Sequence, residues 1–87
     1  MNILLIEDDA ELVHSLSGHF REHGYAVDHC SDGDGGLSRA CSAEYQVIVL
    51  DRMLPRLDGL NLVRQLRARG VRTPVIFLTT RSGIDDR

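Results

Sequence analysis

Two short runs in this chain, apolar but for a leading asparagine in the first, stop at acid: Asn2 to Ile6 (NILLI) at Glu7-Asp8-Asp9, and Val47 to Leu50 (VIVL) at Asp51. A third run, PVIFL from Pro74, stops at Thr79-Thr80. Branched apolar residues in unbroken series, without polar alternation, mark strands covered on both faces, as in the interior of a parallel sheet. Parallel strands share one carboxyl edge, and open α/β sheets hold their ligands in the crevice above it. Glu7, Asp8, Asp51 and Thr79 are therefore expected around one hollow.

Carboxylates brought that close repel each other by roughly 4 kcal/mol per pair at an effective dielectric near 20. A hard divalent cation relieves the repulsion. A donor set of carboxylates, a backbone carbonyl and water suits octahedral Mg2+ better than zinc, which takes His or Cys. A carboxylate beside such a cation, with a hydroxyl one strand away, can attack phosphorus and form an acyl phosphate, while the metal offsets charge on the phosphoryl oxygens. The plainer alternative is that the acids cap helices and hydrate the sheet edge. That reading is adopted for Asp9, an N-cap candidate. For Glu7, Asp8 and Asp51 together the cation site is preferred, because buried strands rarely end in clustered acids without one.

Positioning these residues takes strands at about 2–6, 25–29, 46–50 and 74–78, alternating with helices at about 10–23, 34–43 and 57–69. In the first helix Leu12, Val13, Leu16 and Phe20 recur on one face, and Gly24 supplies a left-handed stop. Tyr25 to His29 (YAVDH) alternates only partly and reads as a sheet edge. The loop SDGDGG opens the second helix, with Leu37, Ala40 and Cys41 expected inward. The third helix carries the stripe Leu57, Leu60, Leu62, Val63 and Leu66, with Arg64, Arg67 and Arg69 outside it, and Gly70 ends it. Strands alternating with helices imply an α/β fold: a parallel sheet with right-handed crossovers and helices on both faces.

Eighty-seven residues suffice for one domain. Thirteen acidic residues against ten basic ones leave no nucleic-acid footprint. All ten basic residues are arginines, which removes lysine from the catalytic options. Cys30 and Cys41 are too few for a disulfide framework or a zinc site, and nothing approaches the ~20 apolar residues of a membrane span. A soluble, cytoplasmic chain is expected, with no membrane partner. His19 and His23, with His14 before them, have a spacing that can bind a transition metal. No Cys or carboxylate completes a tetrahedral set, so a polar helix flank is expected. SDGDGG lacks the acid that a calcium loop needs at its twelfth position and is read as a turn.

The segments NILLIEDD, VIVLDRMLPRLDG and TPVIFLTTRSGIDDR, over the whole chain, resemble the receiver domain of bacterial two-component response regulators, most closely the subfamily that carries a winged-helix DNA-binding domain. The resemblance implies a flavodoxin-like, doubly wound sheet of order 2-1-3-4 for the strands present. Asp51 corresponds to the family's phosphoacceptor, Asp8 to its direct magnesium ligand, and Glu7 to the acidic partner acting through water. Met53 would lend its backbone carbonyl to the metal. Thr79 matches the hydroxyl that senses the phosphoryl group, and Thr80 stands where the family usually has a smaller residue. The implied partner is a sensor histidine kinase, and DNA would be contacted only through an output domain, not by residues 1–87.

The family sheet has a fifth strand and a last helix, and this chain is expected to stop short of both. The family's lysine has no counterpart here, so poor phosphorylation is expected. The PVIFL strand would be an unpaired apolar edge, which predicts a homo-oligomer of a kind other than the signalling dimer. Three rivals remain: an aspartyl-phosphate hydrolase of the haloacid-dehalogenase kind, which needs an Asp where Met53 stands; a Rossmann-like nucleotide binder, which needs glycines where Glu7-Asp8 stand; and an interaction piece with no chemistry.

Overall fold

The computed structural model describes residues 2–51 and 58–78. The expectations placed on Met53, Leu57, Thr79 and Thr80 lie outside them. The described elements run β1 (Asn2–Ile6), α1 (Ala10–Glu22), β2 (Ala26–Cys30), α2 (Gly33–Ser42), β3 (Val47–Asp51), α3 (Gly59–Ala68) and β4 (Val75–Leu78). The four strands form one parallel sheet in the order β2-β1-β3-β4.

The apolar runs explain that order. Ile3, Leu4, Leu5 and Ile6 of β1, and Ile48, Val49 and Leu50 of β3, are all buried, as central strands require. β2 has no fully buried residue and lies at an edge, in keeping with its partial alternation. Alternate side chains feed two cores. Leu4, Ile6, Ile48 and Leu50 pack with Ala40 of α2 and with Leu62 and Leu66 of α3. Ile3, Leu5 and Val49 pack on the opposite side with Val13, Leu16 and Phe20 of α1. Pro74 precedes β4, and its carbonyl accepts from the Ile48 N–H at 2.9 Å, while its missing N–H falls before the first strand residue, Val75, at the end of the ladder.

Each helix begins at an aspartate. Asp9 accepts from the N–H groups of Glu11 and Leu12, Asp32 from Gly35, and Asp58 from Leu60. Gly24 and Gly70, at φ 88° and 83°, take the left-handed conformation just past α1 and α3.

Two expected apolar faces need correction. Ala40 is buried and Leu37 packs on the core as expected, but Cys41 is exposed, and α2 buries Gly33 and Gly36 besides Ala40. The glycines read as turn residues are contact residues: a Cβ on Gly36 would meet the side chain of Ile6, with Cγ1 only 2.9 Å away. Leu60 is 45% exposed, because it lies two residues from Leu62 and hence nearly opposite it around the helix.

Candidate functional site: an acidic hollow at the strand ends

β1 and β3 pair in parallel from Ile3 with Val47 to Ile6 with Leu50. Continued by one residue, that register sets Glu7 alongside Asp51, both on the α1 side of the sheet. Glu7 and Asp51 are buried, at 1% and 5% exposure, while Asp8 stands exposed at the rim. One carboxylate oxygen from each of the three lies within 4.8 Å of the others. The expected convergence of Glu7, Asp8 and Asp51 is therefore present in the geometry.

Glu7 is held from several directions. Its N–H donates to the Cys30 carbonyl at 3.0 Å, and its own carbonyl accepts from His29 Nε2 at 2.9 Å. Because a carbonyl only accepts, Nε2 carries the proton in that bond. Carboxylate Oε2 accepts from the Asp9 N–H at 3.0 Å. The other oxygen, Oε1, is buried with no hydrogen-bond partner.

Burial pushes the Glu7 carboxyl up from 4.5 to about 7; the Asp9 N–H opposes the rise, and the charge of Asp51 adds to it. A buried acid with an unpartnered oxygen, facing a second buried acid, is a costly arrangement in a metal-free protein. A cation removes the cost. The donor set is all oxygen, with no thiolate or imidazole in the cluster, so the residues fit a hard divalent ion such as Mg2+.

The neighbouring features are structural. Asp9 caps α1, as expected. Burial raises the Cys30 thiol above its ordinary pKa despite the opposing charge of Arg39, so it is not an activated nucleophile. The Tyr45 hydroxyl donates to Asp28 at 2.7 Å, tying the segment before β3 to β2. The His29 bond to Glu7 was not foreseen; only the parallel pairing of β2 with β1 could have signalled it, and YAVDH states no register by itself.

The fold and this hollow define a response-regulator receiver domain, a signalling module. The model of the response regulator receiver domain family matches residues 3–87, and the chain belongs to that family. Among curated proteins it is 44% identical over 87 residues to the transcriptional regulatory protein HprR of Escherichia coli and 42% identical to QseB of Haemophilus influenzae. In each case the match takes in 100% of this chain and 39% of the relative's length. Among solved structures it superposes with a TM-score of 0.85, at 36% identity, on the receiver domain of the sensor histidine kinase PA1611 from Pseudomonas aeruginosa. That match covers 90% of this chain and 66% of the other, which has a magnesium ion coordinated in its active-site cleft. Among the described residues, no helix is long and apolar enough to cross a membrane.

Proposed function

We propose that this chain accepts a phosphoryl group on Asp51 from a sensor histidine kinase, and that its parent protein passes the change to a DNA-binding transcriptional output. The observation that carries this reading is the hollow itself: a buried carboxylate with an unpartnered oxygen, beside a second buried acid and a third at the rim. Glu7, Asp8 and Asp51, with the backbone carbonyl of Met53, would hold the Mg2+. When bound, the ion supplies positive charge to the phosphoryl oxygens in flight.

The chain's own residues do the rest. An oxygen of Asp51 forms the new bond to phosphorus while the phosphorus–nitrogen bond to the donor imidazole breaks, and the electron pair leaves with that nitrogen. The Thr79 hydroxyl would hydrogen-bond the transferred group. The magnesium in the PA1611 neighbour and the family's transcriptional regulators support the reading.

The test is intact mass after incubation with acetyl phosphate and Mg2+. A hydroxylamine-sensitive gain of one phosphoryl group, absent in Asp51→Asn, supports the proposal. Equal labelling of the variant refutes Asp51 as the acceptor.

A further inference from the structure

The last turn of α1 and its C-cap hold a pair of exposed histidines, His19 and His23, that the acidic hollow does not use. His19 and His23 are four residues apart across the end of α1, and their ring centroids are 4.7 Å apart with planes tilted by 49°. An ion about 2.1 Å from one nitrogen of each ring, with its two bonds at roughly 90 to 110°, requires centroids about 4.6 to 5.3 Å apart. The rings already stand at that separation.

The second His is also set for ligation. His23 Nδ1 lies 2.9 Å from the His19 carbonyl, which can only accept, so Nδ1 carries the proton and the neutral ring has its lone pair on Nε2. A ring N–H donated to a backbone carbonyl is the support that ligating histidines ordinarily receive, because it fixes both tautomer and ring orientation. The His19 ring stands edge-on to Phe20 at 6.3 Å between centroids, and Phe20 in turn meets Tyr25. Both imidazoles lie at the carboxyl end of α1, where the helix dipole favours a cation.

We infer that His19 and His23 form a second metal site, selective for a divalent late transition metal such as Ni2+, Cu2+ or Zn2+, with water filling the remaining positions. Imidazole donors prefer these ions and have little affinity for Mg2+, whereas the carboxylates of the hollow have the reverse preference. α1 has 13 residues and separates the two sites by roughly 20 Å, so they load independently. A bound ion ties the last turn of α1 to its C-cap and stabilises the folded helix end by mass action.

The probe is Ni2+, titrated calorimetrically into the chain with its thiols alkylated and Mg2+ in excess to occupy the hollow. Binding of a single Ni2+ is expected, weakened by about tenfold or more in His19→Ala and in His23→Ala and unchanged in His14→Ala. Both positions are exposed and His19 sits in a helix that alanine favours, so both variants should fold; circular dichroism checks this. With Ni2+ at tenfold excess over its dissociation constant, the wild-type Tm should rise by roughly 5 °C or more, and that rise should vanish in His23→Gln. Undiminished Ni2+ binding in either alanine variant, in folded protein, overturns the inference.

Discussion

Glu7→Gln should make the metal-free protein more stable at mildly alkaline pH and indifferent to the change at low pH. In the wild type the carboxyl holds its proton more tightly folded than unfolded, about 7 against 4.5, chiefly because it is buried. A group with a raised pKa contributes stability that is complete below the unfolded value and is lost as pH rises through the folded one. The loss therefore runs from about pH 4.5 to just above 7 and amounts to about 3 kcal/mol for this shift. Set against a domain stability of ~5–15 kcal/mol, a loss of that order should lower the Tm by several degrees or more, about 5 °C at the least. Glutamine keeps the shape and has nothing to ionise. Urea unfolding in EDTA, followed by circular dichroism from about pH 4 to 8, should show the wild type falling behind Glu7→Gln as pH rises. Added Mg2+ should close that gap by stabilising the wild type and do less for the variant. A wild-type-minus-variant difference that stays flat across the range would refute the account of Glu7 as the group whose charge the fold cannot tolerate alone.

Other outcomes follow from the packing. Gly36→Ala should destabilise by roughly 1–3 kcal/mol in urea melts, because its methyl enters space held by Ile6, and Ile6→Val should recover part of that loss in the double variant. Asp9→Ala should cost about 1 kcal/mol through the lost cap of α1, read from the unfolding midpoint. Ile76, on β4 and 55% exposed, marks an apolar edge that among the described residues is paired on one side only. The 87-residue chain should sediment as an oligomer, and Ile76→Lys should shift it toward monomer; a wild-type monomer at high concentration would rule this out.

The central strands were legible because double burial leaves no room for polar alternation, and NILLI and VIVL have none. Their acidic ends were legible for the same reason: the pattern switches from wholly apolar to wholly charged within one residue. Helix faces were read less well. A stripe of leucines shows that a face is apolar but not which angular sector meets the sheet, so Leu60 was placed inward beside Leu62. The glycines of α2 were misleading because absence of a side chain serves tight turns and close packing alike. Only the position of Ile6 against Gly36 separates the two uses. Contacts between strands distant in sequence, such as His29 with Glu7, depend on register and leave no local trace. Nor does spacing alone show that His23 spends Nδ1 on a carbonyl and leaves Nε2 outward.

The amide and side chain of Asp9 serve different masters. Its N–H holds Glu7 in the hollow, while its carboxylate fastens the first turn of α1. A change of charge at Glu7 must alter the pull on that amide and so reach the opening turn of the helix across a single residue. The backbone amide resonances of Asp9, Glu11 and Leu12 should therefore respond together when the hollow gains or loses a cation, giving a spectroscopic gauge of the site in groups that never touch the ion.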